Sequence, residues 1–276
     1  MHTFKNKTIE TAVEKFHELC IEKKMPDFIN KYLMHTAPLT IPHEMLSDFY
    51  CHEFYPELPY RGRVITAFYI RQAVIETCGF VPITQDFIYY LQRAICEFRL
   101  LTRNIHVLEI NGGLGAISAM LNTYPFLDVI CTDVKTETSN FNYDKDEWMP
   151  VEKLDWVEAV EKYGEWADVV ISSWPRGGLL KPFTRLHEIN PDAKFIYIGE
   201  GPGGCTADDN FLLSPHVVLD EDDDKLINVN EVFPIWEGMH DCVSLFKYEE
   251  VVKDEQVRED EGESVSFGDQ EESQKD

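Results

Sequence analysis

The residues best suited to chemistry gather in one stretch, Val107-Leu108-Glu109-Ile110-Asn111-Gly112-Gly113-Leu114-Gly115. An apolar run leads into a glycine-rich turn, and residues 116–121 read as a helix. Glycines at such a turn let the backbone approach a ligand and let the helix pack close to the strand. The carboxylate at the strand end narrows the choice of ligand. A dinucleotide would rest its pyrophosphate on this turn, where Glu109 repels it. A cationic ligand, such as a sulfonium carrying an amino group, suits it. Eighteen residues after Gly115 comes Asp133, at the end of another apolar run. Two later stretches also end apolar runs: Ser172-Ser173-Trp174-Pro175 and Gly199-Glu200-Gly201-Pro202-Gly203-Gly204-Cys205-Thr206. Trp174 can wall a pocket for a flat or cationic acceptor. Glu200 can orient an acceptor or act as a base. Cys205 has no histidine near it in sequence and reads as a buried thiol rather than a nucleophile. Asp208 and Asp209 read as the start of a helix rather than metal ligands.

Glu109, Asn111, Gly113 and Gly115 resemble the E/D-x-G-x-G-x-G motif of the Rossmann-like (class I) S-adenosylmethionine-dependent methyltransferases. Asn111 stands at the first glycine of that pattern. Asparagine is the non-glycine residue that best tolerates left-handed backbone. The resemblance covers a little over half of the chain. It implies a cofactor cradle of Glu109, Asn111, Gly112, Gly113 and Gly115, with Asp133 on the ribose hydroxyls. It also implies a turn after the third strand that cradles the adenine. There Asp155 either accepts from the adenine amino group or simply caps the helix that follows. The loop Ser172, Ser173, Trp174 would lie beside the transferred methyl, in partial agreement with the N/D/S-P-P-Y/F/W loop of amino-group methyltransferases. The implied activity is methyl transfer from S-adenosylmethionine to a small-molecule or protein acceptor. The chain offers no catalytic triad and no metal-ligand spacing. A methyl on a positive sulfur leaves readily, so positioning the acceptor and excluding water is most of the task.

These residues need a frame. From residue 104 short apolar runs alternate with helical stretches, which predicts an α/β fold with a doubly wound, mostly parallel sheet. The runs are 106–110, 127–131, 168–172 and 194–199. Two more, 230–235 and 242–248, lie too close for a crossover helix, which predicts an antiparallel C-terminal hairpin. Residues 1–100 read as a helical N-terminal cap. In it Thr84 is placed to cap a helix carrying Phe87, Ile88, Leu91 and Ile95. Residues 101–250 form the expected core and 251–276 an acidic tail expected to be disordered. The acidic run 220–224 is expected on a surface loop.

Of the 276 residues, 44% are hydrophobic, enough for a sizeable core. No apolar run reaches the length that spans a bilayer, and the first residues lack a secretory core. Seven scattered cysteines form no CxxC pair and suggest reduced thiols in a cytoplasmic protein. The net charge of -25 argues against a nucleic-acid partner, because such binding rests on Lys and Arg contacts to phosphate. The tail carries -7 of it, so the body is acidic too. Oligomeric state is not legible. Two other functions stay open. One is a catalytically inactive relative of the same fold that acts through protein partners. The other is a nicotinamide-dependent oxidoreductase, which the position of Glu109 and the missing G-x-G-x-x-G order oppose.

Overall fold

The computed structural model describes residues 79–81, 83–98, 103–135, 147–233 and 240–251. Expectations for the first 78 residues and for the tail from residue 252 lie outside them. In chain order the elements are α1 (Gln85–Glu97), β1 (Ile105–Ile110), α2 (Ala116–Leu121), β2 (Leu127–Asp133), β3 (Val151–Lys153), α3 (Trp156–Tyr163), β4 (Val169–Ser173), α4 (Leu180–Ile189), β5 (Lys194–Gly199), α5 (Asp209–Leu212), β6 (Val217–Leu219), a 3-10 helix (Asp223–Leu226), α6 (Ile227–Val232) and β7 (Cys242–Tyr248).

The strands form one sheet in the order β3-β2-β1-β4-β5-β7-β6. β3, β2, β1, β4 and β5 are parallel to their neighbours, and β7 runs antiparallel to both β5 and β6. This is the expected doubly wound α/β architecture with an antiparallel C-terminal end. β1 is central, and the chain leaves it towards β2 on one side and later returns to β4 on the other. Open sheets bind ligands at the carboxyl ends of strands flanking such a reversal.

The strand alternation sorts side chains onto two cores. Ile105, Val107, Val169, Ile171, Ile196 and Ile198 face α1 and α2. Leu108, Ile110, Val170, Phe195 and Tyr197 face α3 and α4. Glu109 shares the parity of Ile105 and Val107, so the pleat turns it into the α2 side of the interior. Only 1% of it is exposed.

α1 begins as expected. Thr84 accepts a hydrogen bond from the Phe87 N–H at 3.1 Å, and Phe87, Ile88, Leu91 and Ile95 are all buried. Burying each such side chain is worth about 1.5–3 kcal/mol, which docks the helix on the sheet.

Two expectations are corrected. The described part of the run 230–235, residues 230–233, is not a strand: α6 occupies Ile227–Val232, with Phe233 at its C-cap. Val229 and Phe233, one helical turn apart, are both buried, and Phe233 packs edge-on against Phe87. The antiparallel partner of β7 is β6 instead, three residues long. Beyond β6, side chains complete the ladder. Asn230 donates through Nδ2 to the Val243 carbonyl and accepts the Val243 N–H at Oδ1, both at 2.8 Å. Asp223 accepts the Leu245 N–H at 2.7 Å. An amide side chain carries the same donor and acceptor as a peptide, so it can stand in for one.

The acidic run 220–224 is also more than a surface loop. Asp220 is buried, and the Lys194 ammonium bridges it to Asp222 at 2.9 and 3.0 Å. Burial without that cation would cost several kcal/mol, on the order of an unpaired interior charge. No helix among the described residues is long and apolar enough to cross a membrane.

Candidate functional site

The carboxyl ends of β1, β2, β4 and β5 bring most of the singled-out residues together. The turn after β1 needs left-handed backbone at Asn111 (φ 60), Gly113 (φ 57) and Gly115 (φ 73). Asparagine at the first of these is the tolerated exception. Its Nδ2 donates to Ser172 Oγ at 3.0 Å, tying the turn after β1 to the end of β4. Gly112 is needed for space rather than for backbone freedom. A Cβ there would sit 2.2 Å from Cys131 Sγ and 3.2 Å from Glu109 Oε2. Gly112→Ala is therefore expected to destabilise the protein by about 1–3 kcal/mol in urea unfolding, the usual cost of overpacking. Removing the sulfur with Cys131→Ala in the same chain should recover most of that loss. A double variant as unstable as Gly112→Ala alone would refute the steric account.

Asp133 ends β2 directly beside this turn. Its Oδ2 accepts the Gly113 N–H at 3.0 Å and its Oδ1 accepts the Lys135 N–H at 2.9 Å. β2 therefore runs two residues past the expected run, and the aspartate is held by the glycine turn itself.

Glu109 lies below the turn. Oε2 accepts the Ser118 N–H at 3.1 Å and the Ser118 hydroxyl at 2.5 Å, with Cys131 Sγ at 3.7 Å. Ser173 Oγ is 3.4 Å from Oε1. Burial pushes the Glu109 carboxyl up to about 7, although the bonds from Ser118, Cys131 and Ser173 pull it down. Burial, and then the charge of Glu109, push the Cys131 thiol well above its ordinary range, so it stays protonated and donates.

Asp155 is the N-cap of α3. Its Oδ1 accepts the Val157 and Glu158 N–H groups at 2.8 Å each, and Glu158 reaches back to the Asp155 N–H at 3.0 Å. This reciprocal pattern is a capping box, and it accounts for the residue without a ligand.

Ser172 is fully buried, and Ser173 and Trp174 are half-buried. Trp174 has φ 48, a strained conformation for a bulky residue and one that concentrates at functional sites. Its ring stacks on Phe80 at 5.0 Å and 4°.

Glu200 is buried and committed to backbone. Oε2 accepts the Cys205 N–H at 2.6 Å, and Oε1 accepts the His240 N–H at 3.1 Å. Burial pushes its carboxyl up, but these amides outweigh burial and hold it below the usual glutamate range. It is thus a fastener for the glycine loop and for the segment entering β7, and a weak base. Tyr197 and Thr206 lock the same loop: the tyrosine hydroxyl donates to the Glu200 carbonyl at 2.7 Å and lies 2.8 Å from Thr206 Oγ1.

Cys205 is exposed, contrary to the buried thiol expected, although its N–H is held by Glu200. Asp208 caps α5 as expected, accepting the Phe211 N–H at 3.0 Å. No group of residues that could hold a metal ion occurs among the described residues.

Sequence reading missed Ser118 and Cys131 as the partners of Glu109. The helical position of Ser118 at the first turn of α2 was the available signal. It also missed the stack of Phe80 on Trp174, a contact made by long-range packing.

No family model and no curated protein matches the chain. Solved structures similar to it include MtNAS in complex with MTA and tNA, at 11% identity over 91% of this chain and 100% of that one, TM-score 0.39. TrmN from Thermus thermophilus is 13% identical over 58% of this chain, TM-score 0.35. The SAM-dependent methyltransferase from Agrobacterium tumefaciens is 11% identical over 59% of this chain, TM-score 0.34. The chain spans 48% of the TrmN chain and 61% of the Agrobacterium one. Likenesses this distant carry no activity across, so function rests on the chain's own site.

Proposed function

We infer that this chain binds S-adenosylmethionine over the β1 turn and transfers its methyl group to a small-molecule or protein acceptor held by the loops after β4 and β5. One observation carries the reading: Asp133 is bonded to the Gly113 N–H, so the glycine cradle and the diol-binding carboxylate form one continuous surface. The charges fit the same ligand. Glu109 lies beneath this turn, and once ionised, as pH rises through about 7, it sets a negative charge there that opposes a pyrophosphate. A sulfonium would meet an attractive one.

When bound, S-adenosylmethionine supplies a methyl on a positive sulfur that departs as a neutral thioether. The chain's own part is placement. Gly112, Gly113 and Gly115 admit the ligand's amino-acid portion close to backbone. Asp133 holds the ribose hydroxyls, and Asp155, the cap of α3, borders the adenine end. Ser172, Ser173 and Trp174 border the methyl, with Asn111 bracing Ser172. Glu200 acts by fixing the loop that walls the acceptor, its carboxylate being held by Cys205 and His240.

The test is calorimetric titration with S-adenosylmethionine, S-adenosylhomocysteine and NAD. Micromolar binding of the first two and none of NAD is expected. Binding of none of them would overturn the reading in favour of an inactive relative of the fold. Binding of NAD alone would favour an oxidoreductase.

A further inference from the structure

The loop after β4 is fastened on both sides of one side chain, Arg176. Before it, the Trp174 N–H donates to the Ile198 carbonyl at 2.8 Å, and the Pro175 carbonyl accepts the Ala207 N–H at 2.6 Å. After it, the Gly178 N–H donates to Asp208 Oδ2 at 2.7 Å. Gly177 and Gly178 turn the chain with φ 115 and 73. The backbone of Arg176 is therefore fixed, while its side chain is exposed. Its guanidinium lies 5.8 Å from the centre of the Phe80 ring, the ring that stacks on Trp174.

The charge balance around this group is unusual for so acidic a chain. The other described arginines each hold a carboxylate: Arg93 with Glu97, Arg103 with Asp168, and Arg185 with Glu161 and Glu188. Arg176 forms no ion pair among the described residues. Asp208, whose carboxylate lies beside Gly177, is engaged by Gly178 at one oxygen and by Phe211 at the other. An arginine that is positioned, stacked on an aromatic ring and left without a carboxylate can receive one. Its planar fork matches a carboxylate or phosphate with two parallel bonds. The same positive charge disfavours a cationic acceptor at the Trp174 wall.

We propose that the acceptor bears a carboxylate or phosphate and that Arg176, beside the Phe80–Trp174 pair, takes this anion. This makes Arg176 a specificity-determining residue. The proposal rests on the reading that the acceptor enters over the β4 loop.

The experiment uses the full chain saturated with S-adenosylhomocysteine and three probes of similar shape: 4-aminobenzoate, phenyl phosphate and the neutral 4-aminobenzamide. Both anions are expected to bind about tenfold more tightly than the amide, the scale of one charge-assisted contact. Arg176→Gln should abolish that preference and leave S-adenosylhomocysteine affinity and melting temperature unchanged. Arg176→Lys should restore part of it. Equal binding of the three probes, or a preference that persists in Arg176→Gln, overturns the proposal. S-adenosylhomocysteine binding is measured first, so its failure counts against the methyl-transfer reading. Its success without anion preference counts against Arg176 alone.

Discussion

Asp133→Ala is expected to weaken S-adenosylmethionine binding about a hundredfold. The side chain lost is the acceptor for a diol. Two charge-assisted hydrogen bonds to it are worth about 3 kcal/mol together, and each 1.4 kcal/mol is about tenfold in affinity. The carboxylate also holds the Gly113 and Lys135 amides, so part of the loss could come from a loosened turn. Asp133→Asn separates the two causes. It keeps an acceptor for Gly113 but loses the charge and one acceptor oxygen. Calorimetry with 5′-methylthioadenosine and its 2′-deoxy analogue sharpens the comparison. The wild-type chain should prefer the intact diol, and both variants should lose the preference. An Asp133→Ala protein with unchanged melting temperature and unchanged affinity would remove Asp133 from the site.

Glu109→Gln should stabilise the protein in mildly alkaline solution and do nothing in acid. The folded carboxyl titrates at about 7 against an ordinary 4.5. With the folded value raised, the favourable contribution of the protonated form is complete below about pH 4.5. It is lost as pH rises through 7, because only the folded state must then give up a proton it holds tightly. The difference corresponds to about 3 kcal/mol at pH 8, at 1.36 kcal/mol per pH unit. Glutamine is uncharged, nearly the same size, and can accept from Ser118 while donating to Ser173. Urea unfolding at pH 4 and pH 8 should show nearly equal stability at the first and the gain at the second. A gain that is the same at both pH values would mean that charge burial is not the cause. The ligand reports on the same group. A sulfonium favours the ionised carboxylate, so the preference for S-adenosylmethionine over S-adenosylhomocysteine should grow from pH 5 to pH 8. In Glu109→Gln that preference should be flat.

Much of the frame was legible because it is written in local alternation. Val107 and Glu109 share a parity, as do Leu108 and Ile110. The expectation that Glu109 meets the ligand at the strand end left this parity out: it puts the glutamate in the interior beside α2, where it is found. The glycine turn was readable because only glycine or asparagine settles at positive φ with ease, and all three left-handed positions carry one or the other. Asp155 and Glu158 stand in capping-box spacing, so the cap was readable too. Residues 230–235 misled because their valine, phenylalanine and isoleucine suit a strand, while tertiary packing of Val229 and Phe233 chose a helix. The commitment of Glu200 to the His240 amide, and the stack of Phe80 on Trp174, join residues far apart in sequence. No periodicity records such contacts. A glutamate that looked free to act as a base was thus read without the partners that restrain it.

The way β7 ends the sheet bears on how the protein behaves at high concentration. An exposed strand edge is a template on which another chain can add itself. Here β6 covers one end of β7, and Asn230 and Asp223 occupy the amides that β6 does not reach. At this end of the sheet, among the described residues, only the outer side of β6 is left unpaired, a strand of three residues, too short to seat a stable foreign partner. Asn230 is thereby a guard against self-association as well as a packing residue. Its loss would open a docking row on β7 to neighbouring molecules.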